Sequence, residues 1–219
     1  MSAEIIEAQI REALSRLIRA GLSAQQFNPS RHVLTGGRIS IGDLPMSTYA
    51  LKDVYYQMIY EDLDRSLAFH SKFVDGGLMA FQYTVDKDGS VLKHRLTYFP
   101  SMVLPTVEEA PLLYENDELF ADIMVQRLVR FPIRFDFAPE QYVDVDHPQC
   151  HLTLGQFDGC RIPVTGPVSP YVFVMFLLRN FYRRSYVRNK NIFEKKIKGV
   201  QLNSTISELE RKIAHLVVS

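Results

Sequence analysis

Residues 144–164 read DVDHPQCHLTLGQFDGCRIPV, which holds both cysteines and two of the six histidines, with Asp144 and Asp146 leading. Three chemistries fit such a set. Zinc asks for four Cys, His or carboxylate ligands in a tetrahedron, commonly as two close pairs. His147, Cys150, His151 and Cys160 supply the types but not the paired spacing. On a strand, Cys150 would also face away from His151. A catalytic divalent metal needs fewer ligands, and Asp136, Asp144, Asp146, His147 and His151 would serve if their strands pair. In that arrangement the metal ligands are Asp144, Asp146, His147 and His151, and the catalytic candidates are Asp136, His147 and His151, with a histidine as general base. Third, Arg161 beside Cys160 could depress a thiol pKa. Against all three stands a plain polar hairpin: aspartates facing water, histidines bonded to neighbouring backbone, cysteines as small apolar residues.

No sharper signature supports catalysis. The chain has no P-loop, no H-E-x-x-H and no G-x-S-x-G. HLTL at 151–154 matches the element that two-histidine phosphoesterases carry twice, but HVLT at 32 and HRLT at 94 do not repeat it.

A second set is electrostatic. Residues 179–198 carry eight bases against Glu194, interleaved with Phe181, Tyr182, Tyr186 and Phe193. Cations with aromatic faces suit nucleic acid, which makes Arg179, Arg183, Arg184, Arg188 and Lys190 the candidate contacts. The competing readings are a helix C-terminus favouring cations and a partner face for the acidic stretch of 107–122, which has six acids and no base. Formal net charge is zero, so the segregation is local.

The elements that must position these residues follow from periodicity. Ile6, Ile10, Leu14 and Leu17 recur at helical spacing, up to a stop near Gly21. One short strand is expected around 38–41. Ser47 and Thr48 are caps for a helix through Tyr55, Ile59, Leu63 and Leu67. LMAFQYTVD and VLKHRLTYF flank KDGS as a β-hairpin, with strands at 78–85 and 91–99. A helix is expected over 116–130. FPIRFDF puts Ile133, Phe135 and Phe137 on one face and Arg134 and Asp136 on the other. Strands follow at 151–154 and 161–164, then a buried helix opened by Ser169 and Pro170. Thr205 and Glu208 form a capping-box pattern for a last helix through Ile206, Leu209, Ile213 and Leu216.

Helices, then strands, then helices predict a single α+β domain over 1–219, with a mostly antiparallel sheet. Residues 1–70 form its helical N-terminal part, 77–165 its sheet and 169–219 its C-terminal helices. The start MSAEIIEAQIREALSRL has no signal-peptide character and the longest apolar run, 171–178, is too short for a membrane. A cytoplasmic protein without membrane contact is expected.

RFDFAP at 134–139, HPQCHLTLG at 147–155, CRIPVTGPVSP at 160–170 and FLLRNFY at 176–182 resemble a bacterial family known only as a domain of unknown function. The resemblance maps Arg134, Asp136, His147, His151, Arg161, Pro163, Arg179 and Tyr182 onto its motif positions. Ala138 stands where an acid often sits in that family. It carries no activity; it implies a setting beside restriction, toxin or anti-phage genes. The expectation is a non-enzymatic accessory or binding subunit of a larger bacterial, defence-type complex, needing no cofactor and contacting other protein subunits and DNA or RNA. The alternative is a metal-dependent phosphodiesterase or nuclease using a divalent ion at 136–151. Pairing of the acidic and basic segments would make a homodimer.

Overall fold

Glycine 21 sets the end of the first helix, α1 (Ser2–Arg19). It takes φ +68°, Leu22 N–H bonds the Leu17 carbonyl at 2.9 Å and Gly21 N–H bonds that of Ile18 at 2.9 Å. This is a Schellman closure with the left-handed position given to glycine, and its flanking Leu17 and Leu22 are both buried. The computed structural model describes residues 2–45, 54–101, 131–157 and 159–218.

Among the described residues nine strands form one sheet. They are β1 (Ser23–Gln26), β2 (Arg31–Val33), β3 (Ile39–Ile41), β4 (Ser71–Phe73), β5 (Leu78–Val85), β6 (Val91–Phe99), β7 (Ile133–Phe137), β8 (Cys150–Leu154) and β9 (Ile162–Pro163). The order is β1-β4-β5-β6-β7-β8-β9, with β3 also on β5 and β2 on β3, and every strand pair is antiparallel. The hairpin of β5 and β6 matches its sequence expectation, because alternation and a Gly-containing turn agree locally. Helix α2 (Tyr56–Arg65) leads into β4. Helices α3 (Pro170–Asn180), α4 (Arg183–Arg188) and α5 (Lys190–Phe193) follow the sheet. Ser169 caps α3 by accepting Val172 N–H at 3.2 Å, with Pro170 at its first turn.

The core lies between one sheet face and α1 and α3. Phe81 and Phe135 meet Phe173 edge-on, at 5.8 and 5.9 Å between ring centroids. Leu96, Ile133, Leu152 and Cys150 complete that face. A smaller cluster sets Ile59 and Leu63 of α2 near Leu78, on the opposite face. The sheet is thus an open α+β arrangement, apolar against α1 and α3 and largely polar on its other side.

Two expectations are corrected. Residues 1–70 are not all helical: besides the expected strand, which is β3, β1 and β2 lie there, because pairing with β4 and β3 rescues segments too short and too polar to show period two. No helix opens at Thr205. The reciprocal cap forms instead between Ser207 and Glu210, with Glu210 N–H to Ser207 Oγ at 3.1 Å and Ser207 N–H to Glu210 Oε2 at 2.9 Å. It closes only a single 3-10 turn, Glu210–Lys212. The flanking backbone is claimed elsewhere: Thr205 N–H bonds the Thr165 carbonyl, and Leu216 bridges Val164 beside β9. The expected Ser47/Thr48 caps, the helix over 116–130 and the acidic stretch of 107–122 lie outside the described residues. Among those described, no helix is long and apolar enough to cross a membrane.

Gly42 follows β3 with φ +81°, and a Cβ there would stand 2.0 Å from the Phe81 carbonyl oxygen. Backbone cannot yield as a side chain can, so Gly42→Ala should cost about 2–3 kcal/mol. Urea unfolding measures this; a loss below about 0.5 kcal/mol would show that β3 leaves β5 freely.

Candidate functional site

The polar sheet face is organised in rows by strand register. One row runs Gln82, Arg95, Asp136, His151 across β5 to β8. The next runs Ala80, Thr97, Arg134, Thr153, and a third Ser40, Thr84, Lys93 across β3, β5 and β6. Because strand side chains alternate, each row presents all its members on the same side.

Asp136 sits at the centre and is 6% exposed. Arg95 Nε donates to its Oδ1 at 2.8 Å, and Arg134 Nε approaches Oδ2 at 2.5 Å. Burial alone would raise the carboxyl pKa; the two guanidiniums override it and hold the group below its ordinary value. Asp136 is therefore a carboxylate with both oxygens engaged by cations. His151 donates from Nδ1 to the Pro148 carbonyl at 3.0 Å, which leaves Nε2 as the lone-pair nitrogen, 3.9 Å from Asp136 Oδ2. Burial pushes its pKa down, so the ring is neutral. His147 stands beside it, 5.0 Å between ring centroids, and bonds the Gln141 carbonyl through Nδ1.

Three sequence candidates, Asp136, His147 and His151, are thus brought together. Asp144 and Asp146 are not added to them as a ligand set. They flank Val145 in a tight turn closed by Val143 and His147, with Val145 at φ +69°. The Asp144 carboxylate accepts the Ser207 hydroxyl at 2.6 Å, and Asp146 is exposed. Among the described residues no three His, Cys, Asp or Glu group so as to hold a metal ion. Cys150 faces the core, opposite His151, and burial pushes its thiol well up, which removes it as a nucleophile.

The basic segment runs from the end of α3 through α4 and α5, and Arg179 and Arg183 share one surface. Both guanidiniums lie over the Tyr186 ring, at 5.5 and 5.8 Å from its centroid. The aromatic residues turn inward. Tyr182, Tyr186 and Phe193 are buried, and Tyr186 donates to Glu194 at 2.5 Å. The Phe193 carbonyl accepts from Arg16 and Tyr171, tying the segment to α1 and α3. Stacking of bases on these rings is therefore unavailable. Arg179, Arg183, Arg184, Arg188, Lys190, Lys195 and Lys196 are exposed.

A buried polar cluster escaped the sequence reading. Asp75 accepts Gly77 N–H at 3.0 Å and the Tyr182 hydroxyl at 2.8 Å, and the Tyr98 hydroxyl meets that of Tyr182 at 2.5 Å. The V-D-G-G turn at 74–77 signalled a local bend, but its tie to Tyr182 spans 107 residues.

The model of an uncharacterized conserved protein family, DUF2290, matches residues 22–218, and the chain belongs to that family. No curated protein and no solved structure matches it.

Proposed function

We propose that this member of the DUF2290 family is a non-enzymatic accessory or binding subunit of a larger bacterial complex, of the defence type its motifs resemble. It contacts partner protein and, through the cations of 179–198, nucleic acid. The observation that carries the reading is where charge has been placed. Both Asp136 oxygens are taken up by arginines and Asp144 by Ser207, while Lys190, Lys195 and Lys196 of the C-terminal segment are exposed. Carboxylates neutralised by guanidiniums are poor metal ligands, and exposed cations without stacking rings favour contact with phosphates over base recognition.

Lys190→Glu with Lys195→Glu and Lys196→Glu should weaken oligonucleotide binding by at least about tenfold and flatten its dependence on salt. Fluorescence anisotropy across a salt series reads both. Equal binding and an equal salt slope in the variant would remove nucleic acid from the proposal.

One observation favours the phosphodiesterase alternative: the unpaired Nε2 of His151 points toward Asp136 beside a second imidazole. In that role Asp136→Asn would abolish Mn²⁺-dependent hydrolysis of a phosphodiester while the fold stayed intact. Absence of hydrolysis by the wild-type chain with Mn²⁺ would leave only the binding role.

A further inference from the structure

We infer that the polar sheet face carries a phosphate-binding cleft formed by Lys93 and Arg95. This deepens the nucleic-acid part of the proposed function and rests on it for the polymer, not for the phosphate chemistry. A cleft of about 220 Å³ opens over β3, β5 and β6, lined on this face by Ser40, Asp43, Gln82, Thr84, Lys93 and Arg95. That is smaller than the roughly 300–1,000 Å³ of sites that enclose small molecules. It fits one charged group of a longer ligand.

The sign of that group follows from the charges. Asp43 accepts the Ser40 hydroxyl at 2.5 Å, and Asp136 is neutralised from both sides. Within the lining two cations, Lys93 and Arg95, thus face one carboxylate, Asp43, which is already engaged, and Lys93 is exposed and forms no ion pair among the described residues. Arg95 spends Nε on Asp136, and among the described residues its Nη atoms have no partner. Its side chain is 37% exposed. A guanidinium anchored through Nε by a buried carboxylate is fixed in orientation while its Nη atoms stay available. That pre-orders it for a tetrahedral oxyanion. Lys93 lies two residues from Arg95 on the same strand, about 6.8 Å along it, a spacing that matches successive phosphates of an extended strand.

The test follows the Nε–H resonance of Arg95 in the full chain during titration with inorganic phosphate. A dinucleotide follows, then a single strand of about 12 nucleotides, within the span one binding module covers. This resonance should move with inorganic phosphate, and Lys93→Glu should raise the concentration needed at least about fivefold. The shift should survive Lys190→Glu/Lys195→Glu/Lys196→Glu, so failure of the C-terminal contact remains separable from failure of the cleft. Tighter binding of the strand than of the dinucleotide assigns a nucleic-acid backbone, and equal binding assigns a free nucleotide. A resonance unmoved by phosphate, or moved equally in Lys93→Glu, overturns the cleft.

Discussion

Lowering the pH from about 7.5 to about 5 should cost the fold about 4 kcal/mol, through two buried histidines. Burial pushes His70 and His94 from an ordinary 6.5 down to about 4. Each ring nitrogen in question is an acceptor. His70 Nδ1 takes Phe81 N–H at 3.2 Å, and His94 Nε2 takes Val168 N–H at 2.9 Å. Protonation would set N–H against N–H inside the core. Between pH 6.5 and 4 the unfolded chain therefore binds protons that the native chain refuses, and stability falls as the pH falls. At pH 5 this amounts to about 2 kcal/mol for each histidine, a large part of the about 5–15 kcal/mol that holds a domain folded. Asp75 works the other way: burial raises its pKa, so its protonation favours the native chain. Asp136, held low by its arginines, enters only below the ordinary carboxylate range. His70→Asn with His94→Gln keeps an acceptor near each lost nitrogen and removes the titration. Urea midpoints at the two pH values should converge in that double variant. If wild type and variant lose stability in parallel, the histidines are not its cause.

Asp75→Ala should cost about 4 kcal/mol, because it strands two buried donors at once, each costing about 1–3 kcal/mol unpaired. The Gly77 amide and the Tyr182 hydroxyl both lose their acceptor. The space cannot be refilled from the turn, since a Cβ on Gly77 would stand 2.5 Å from the Tyr98 hydroxyl. Tyr182→Phe should cost less, about 2 kcal/mol, because its ring stays stacked on Phe73 at 4.9 Å and only the hydroxyl's bonds go. Tyr98→Phe leaves the Asp75–Tyr182 bond in place and should be the mildest of the three. Urea unfolding of the series gives the order. Asp75→Ala no less stable than Tyr98→Phe would mean that the carboxylate contributes nothing to holding the turn of 74–77 against the start of α4.

How far the chain could be read without its fold depends on the range of the forces at each place. The hairpin of 78–85 and 91–99, the apolar face of 133–137, the Ser169–Pro170 helix start and the helix stop at Gly21 are set by neighbours within a few residues, so their types and spacing were enough. The alternation of RFDFAP even placed Asp136 and Arg134 on one side of a strand. It could not place Arg95 opposite Asp136, since that contact bridges 41 residues and depends on the register of β6 against β7. The same holds for β1 and β2, whose strand character comes from the edges they join, and for Tyr182, which pattern placed among surface cations and packing turned inward to Asp75. The Thr205 helix failed for the converse reason: its local cap and periodicity were present, but Thr165 and Pro163 offered its backbone better-placed partners. Sequence alone determined the local elements and the supply of charges. Tertiary structure decided which charges meet, because pairing energies at the sheet face depend on register and burial, neither of which is local.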